Sequence, residues 1–151
     1  MKLNIKDNSL DNSLDLFRKK CRANKLKITP QRIVIYRELM DSKDHPHAEA
    51  LHRRVRKIFP DISLDTVNRT LLTFSKIGLV KNVEGYGDPR RYEPDLRIHH
   101  HFRCVDCNAL IDFDYPLYDE MPVPPEIAKR FRVTDKKVLL EGYCPKCLER
   151  I

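Results

Sequence analysis

Three or four stretches of helical apolar spacing lead into two short β-runs around a Gly/Pro turn. A strand-rich stretch enclosed by two Cys-x-x-Cys pairs follows. This order predicts an α+β chain in two parts. Residues 1–92 read as a winged helix-turn-helix, residues 93–98 as a hinge, and residues 99–151 as a small α/β domain closed by a metal.

The polar start, residues 1–8, is expected to fray. Leu10, Leu14, Phe17 and Cys21 then share one helical stripe, which makes Cys21 a buried small hydrophobe and not a metal ligand. Thr29-Pro30 opens a second helix, with Thr29 as cap, Pro30 in the first turn, and Ile33, Tyr36, Leu39 and Met40 continuing it. A third helix is expected from Ala48 to Phe59, with Leu51, Val55 and Ile58 inward. Ser63 caps a fourth helix, which carries Val67, Leu71, Phe74 and Ile77 on one face and ends at Gly78. Leu79–Val83 and Arg91-Tyr92 form the wing hairpin around Glu84–Pro89. In this architecture the Ser63-capped helix enters the DNA major groove.

Pro94 marks the hinge. Beyond it, His99–Cys104 and Ala109–Phe113 read as strands, a short helix is expected near Pro125–Phe131, and another strand near Lys137–Tyr143. A unit of this size needs a staple. Cys104-Val-Asp-Cys107 and Cys144-Pro-Lys-Cys147 supply one, since each pair can hold two corners of a zinc tetrahedron. Accidental pairs or a redox dithiol are the alternatives. Four cysteines leave no open position for a substrate, so this zinc is structural, and function lies in other residues.

The net charge of +7 is uneven. Residues 1–92 carry 20 Lys/Arg against 11 Asp/Glu, and residues 93–151 carry 9 against 11. The first part therefore suits a polyanion such as double-stranded DNA. No apolar run is long enough for a bilayer, and no signal-peptide core opens the sequence, so a cytoplasmic protein without a membrane partner is expected.

A second constellation precedes Cys104. In His99-His100-His101, alternate side chains share a strand face, so His99 and His101 point together and His100 points away. Asp112, on the next strand, can reach them; His45 lies between helices of the first part, and Glu93 at the hinge. Three imidazoles and two carboxylates suit Fe(II), Mn(II) or Zn(II). Surface histidines or a tag-like run are the alternative.

With these landmarks placed, the chain resembles the ferric uptake regulator (Fur) family of bacterial repressors. The resemblance runs from about Leu14 to Cys147, through Leu26–Arg32, His45-Pro46, Ile62–Leu71, Gly78–Val80, His99–Cys107 and Gly142–Cys147. It implies a homodimer, with an N-terminal winged-helix DNA-binding domain and a C-terminal dimerisation domain. It implies structural Zn2+ on Cys104, Cys107, Cys144 and Cys147. It also implies that His45, Glu93, His99, His101 and Asp112 hold one regulatory Fe2+ or Mn2+ between the domains. Asp112 is similar to the peroxide-sensing branch, whereas Glu93 is similar to iron sensors. A further site of some iron sensors needs a histidine where Ile98 stands, an acid where His100 stands and a histidine near Lys136; this chain lacks all three. Asn68 stands where the family often has a tyrosine. Asparagine can read adenine bidentately, or contact only phosphate or water.

The expected function is a metal-dependent repressor that senses hydrogen peroxide through iron-catalysed oxidation of a histidine ligand. An iron-responsive repressor, or a zinc or manganese sensor of the same family, is the alternative. Its DNA contacts are expected from Lys27, Arg32, Ser63, Thr66, Asn68 and Arg69, on a pseudo-palindromic operator. An enzyme is not expected. A zinc hydrolase would need a motif such as His-Glu-x-x-His, which is absent, and would leave the basic winged helix unexplained. A plain zinc-ribbon interaction module would leave His45, Glu93 and Asp112 without a role. No small organic substrate is expected.

Overall fold

The computed structural model describes residues 10–83 and 90–151. The start at residues 1–8 and the wing turn expected at Glu84–Pro89 lie outside the described residues. The chain divides into two compact units, one running through Leu96 and the other from Arg97 to Ile151.

The first unit contains α1 (Leu10–Ala23), α2 (Pro30–Asp41), α3 (Ala48–Val55) and α4 (Leu64–Lys76), then strands β1 (Lys81–Val83) and β2 (Arg91–Glu93). The strands pair antiparallel, with Lys81 opposite Glu93. Both predicted caps form. The Thr29 hydroxyl accepts from the Arg32 amide at 3.3 Å, and the Ser63 hydroxyl from the Thr66 amide at 3.0 Å. Gly78, at φ +74°, ends α4 in a conformation that costs glycine least. Leu14, Phe17 and Cys21 of α1 are fully or nearly buried, and burial pushes the Cys21 thiol up. Three aromatic rings from three helices centre this core. Phe17 stacks on Tyr36 at 5.1 Å, and both meet Phe74 edge-on at 5.8 and 6.1 Å.

Two expectations need correction here. α3 stops at Val55, four residues early, and Ile58 is 52% exposed. The amides of Ile58 and Phe59 both bond the Val55 carbonyl, so the chain tightens into a turn and swings Phe59 onto the core instead. Glu93 belongs to β2 and is buried, although the hinge was expected to begin there.

The second unit holds β3 (His100–Cys104), β4 (Leu110–Phe113), α5 (Pro116–Asp119), α6 (Pro125–Arg130), β5 (Leu139–Gly142) and α7 (Pro145–Leu148). Its sheet has the order β4-β3-β5, with β4 antiparallel and β5 parallel to β3. Its compact apolar cluster is small: the buried members are Cys104, Cys144 and Cys147, with Phe102 and Ala109 against them. Leu117, Phe131, Leu139, Leu140 and Tyr143 are exposed. No helix among the described residues is long and apolar enough to cross a membrane.

Candidate metal centres

The four paired cysteines converge. One Sγ from each of Cys104, Cys107, Cys144 and Cys147 lies within 4.8 Å of the others. The fold explains how. The β3–β5 pairing sets Cys104 opposite Gly142, two residues ahead of Cys144, and the Val105 amide bonds the Gly142 carbonyl at 2.8 Å. Just after Cys107 the chain turns back through Asn108, at φ +57°, whose amide bonds the Cys104 carbonyl at 3.0 Å. Cys144 precedes α7, and Cys147 lies one turn into it. The Cys107 and Cys144 sulfurs are 3.8 Å apart. A Zn–S bond of about 2.3 Å gives a tetrahedral edge of about 3.8 Å, so the cluster fits zinc.

The electrostatics point the same way. Backbone amides of Cys107 and Cys144 lower the Cys104 thiol to about 6. The Cys147 thiol is pushed up, first by Asp106 and then by burial and the other three sulfurs. Four thiolates cannot crowd together without a cation, and a divalent metal removes that conflict.

A triad forms on the other side of Cys104. His101 pairs directly with Asp112 across β3 and β4. The His101 Nε2 is 3.2 Å from Asp112 Oδ1 and 3.1 Å from His99 Nε2, while His99 Nε2 is 3.8 Å from the carboxylate. The His99 Nδ1 lies 2.8 Å from the Arg97 carbonyl. A carbonyl only accepts, so Nδ1 carries the proton, and in the neutral ring the Nε2 lone pair faces His101 and Asp112. That is how proteins orient imidazole ligands toward a metal. His99 lies one residue ahead of β3, yet keeps the alternation that the sequence predicts.

His100 faces away, as expected, but it is not idle. The Val138 amide donates to its Nδ1 at 3.1 Å, so its Nε2 donates to Asp119 Oδ1 at 3.0 Å. Lys136 donates to the carbonyls of Asp119 and, at 2.7 Å, Met121. The segment after β4 is thus tied to β3 by hydrogen bonds.

In the first unit, His45 Nε2 lies 3.1 Å from Glu93 Oε1, and both side chains are almost fully buried. A carboxylate so enclosed requires a partner of opposite charge or a metal. His45 has a left-handed backbone, φ +49°, and Pro46 follows it. The Pro46 carbonyl accepts from Tyr92 of β2 at 3.2 Å, which brings the loop beside Glu93.

On α4, Asn68 and Arg69 are exposed. The Ser63 hydroxyl lies 2.9 Å from that of Thr66, so both belong to the helix cap. Arg69 pairs with Asp65 at 2.9 Å, one turn earlier. Arg32 donates to the Lys27 carbonyl, and the Lys27 side chain is exposed.

Sequence reasoning missed a clamp behind His45. Arg54 donates to Ser42 Oγ at 2.6 Å, and to both Asp44 oxygens at 3.0 and 2.5 Å. The guanidinium holds the Asp44 carboxyl below the usual carboxylate range. Acid and arginine ten residues apart across a helix break give no periodic signal.

This chain is similar to the peroxide-responsive repressor PerR of Staphylococcus epidermidis, with 34% identity over 142 residues, 93% of this chain and 94% of that protein. The Helicobacter pylori ferric uptake regulator shares the fold, with a TM-score of 0.76 at 24% identity over 93% of this chain and 95% of that one. A zinc-bound manganese uptake regulator superposes with a TM-score of 0.67 at 29% identity, covering 85% of this chain and 98% of that structure. Residues 23–142 match the model of the ferric uptake regulator family, and with that span the chain belongs to this family of metal-dependent transcription regulators.

Proposed function

We propose that the chain is a cytoplasmic, homodimeric, peroxide-responsive repressor whose regulatory metal is held jointly by the His45–Glu93 pair and the His99–His101–Asp112 triad. The observation that carries this reading is the triad, with Asp112 set opposite His101 and Nε2 of His99 turned toward both. The donor set of imidazole and carboxylate suits Fe(II) or Mn(II). The relatives named as peroxide-responsive repressors support the stimulus.

Ligands drawn from both units would restrain the hinge between them. In a dimer, that restraint sets the spacing of two α4 helices, which must meet half-sites one helical turn apart, roughly 34–36 Å. Without the metal, DNA binding must order the units at an entropic cost. A coupling of ~1–3 kcal/mol between metal and operator is typical of such linkage. On α4, Asn68 and Arg69 face the operator, with Lys27 and Arg32 on flanking phosphate and Ser63 and Thr66 at the helix start. The apolar side chains exposed on β5 and around α6 suit the dimer contact.

Fe(II), held by His45, Glu93, His99, His101 and Asp112, would supply the redox chemistry. In the net reaction peroxide delivers one oxygen atom to an imidazole carbon and leaves as water; the imidazole loses two electrons and peroxide gains them. His45 and His99 are the rings exposed to this change. An oxidised His45 or His99 would be a poorer ligand, so the remaining donors would hold the ion less tightly and the repressor would release DNA. After stoichiometric peroxide, the Fe(II)-loaded protein is expected to gain ~16 Da, one oxygen atom, on a peptide containing His45 or His99. No gain would sink the peroxide reading. Glu93 favours a second reading, an iron-responsive repressor. In that case Asp112→Glu behaves like wild type and peroxide leaves the ligands intact.

A further inference from the structure

We propose that Arg54 is a positioning residue for the regulatory metal: its guanidinium fork fixes the loop that presents His45. The inference rests on the reading of His45 and Glu93 as ligands.

The loop from Ser42 to His47 joins α2 to α3, and His45 within it has φ +49°. A non-glycine residue in that region is strained, and persists only where its surroundings over-determine it. Here they do so from both ends. At the C-terminal end, Tyr92 donates to the Pro46 carbonyl, and His47 bridges to Arg91. At the N-terminal end, Ser42 caps α2: its amide bonds the Leu39 carbonyl at 3.1 Å, and its hydroxyl the Glu38 carbonyl at 2.6 Å. Arg54 then joins that capped residue to Asp44, the residue before His45, through three hydrogen bonds from one planar group.

The fork matters more than the charge. Asp44 is half-exposed, so a single lysine–carboxylate contact there would contribute little. The bidentate geometry fixes the carboxylate plane, and the shared bond to Ser42 fixes its distance from the end of α2. A loop held this way presents His45 without an ordering cost at the moment of metal binding. If Arg54 is removed, His45 can relax toward ordinary backbone angles and move away from Glu93.

The test uses the full-length, zinc-loaded dimer with Mn(II) as a redox-inert probe, followed by the electron paramagnetic resonance of unbound Mn(II). Arg54→Met is expected to raise the Mn(II) Kd about tenfold or more, within the range seen for groups that orient a ligand. Zinc content and dimer formation stay as in wild type. Arg54→Lys, which keeps the charge but lacks the fork, is expected to weaken binding similarly; wild-type affinity for it would overturn the inference. In a His45→Ala background, Arg54→Met is expected to add nothing, whereas a general structural role would still add its loss, and that result would also overturn the inference. Failure of the underlying reading looks different: His45→Ala itself would then leave the Mn(II) Kd unchanged.

Discussion

The thiolate cluster and the histidine–carboxylate groups differ first in the chain distance over which each is assembled. All four cysteines belong to the unit after Arg97, and they replace most of its apolar core. The histidine–carboxylate donors come as a pair in one unit and a triad in the other. Thiolates that close around a metal inside one small unit turn metal binding into folding free energy. Donors split between two units hold neither unit together, since each already has its own hydrogen bonds. In the proposed arrangement, a metal held by both groups would act on the relation of the units, which is what regulation needs. Softness follows the same division: sulfur retains zinc, whereas imidazole and carboxylate suit an ion that must come and go.

The largest test of this contrast is Cys144→Ser. Structural zinc contributes roughly 10–16 kcal/mol in small domains, so the unit after Arg97 should lose both its zinc and its cooperative melting transition. Atomic absorption and calorimetry would show it. A variant that still binds one zinc per chain and melts normally would break the contrast. Phe17→Ala probes the other unit, which rests on packing. It removes a ring that meets both Tyr36 and Phe74, and should cost about 3–5 kcal/mol in denaturant unfolding with zinc content unchanged.

His99→Ala addresses the split donors. It should weaken Mn(II) binding on the order of 100-fold and abolish metal-dependent operator binding, with one zinc per chain retained. If operator binding stays metal-responsive in gel-shift titrations, the triad is not the sensor.

Much of this could be read from residue spacing, because the controlling interactions are local or periodic. The caps at Thr29 and Ser63 form as expected, and the alternation of His99 and His101 is a property of any extended strand. Asp112 on the next strand falls opposite His101, since a tight cysteine turn fixes the register of the strands it joins. What failed depended on tertiary packing. The helical period of Leu51 and Val55 runs on to Ile58, but burial of Phe59 won over helix continuation. Pro94 suggested a hinge from residue 93, whereas pairing with Lys81 keeps Glu93 in the wing. The Arg54 fork joins partly exposed charges that follow no period, so no sequence pattern could have revealed it.

The smallest expected effect concerns α4 and separates DNA contacts from metal control. Arg69 is exposed and pairs with Asp65 one turn back, a pair worth only ~0.3–0.5 kcal/mol to the helix. Breaking it therefore hardly touches stability. Near a phosphate, however, Asp65 repels and restrains the cation that would otherwise contact DNA. Asp65→Ala should tighten operator binding, whereas Arg69→Ala should weaken it across all sequences and lower the slope of log K against log salt by about one. Neither should change Mn(II) affinity, because α4 supplies no ligand of the pair or the triad. An unchanged salt slope in Arg69→Ala would leave Asn68, which can pair with a base edge, and Thr66 as the α4 side chains that meet DNA. A changed Mn(II) Kd would mean that recognition and sensing are not separable in this chain.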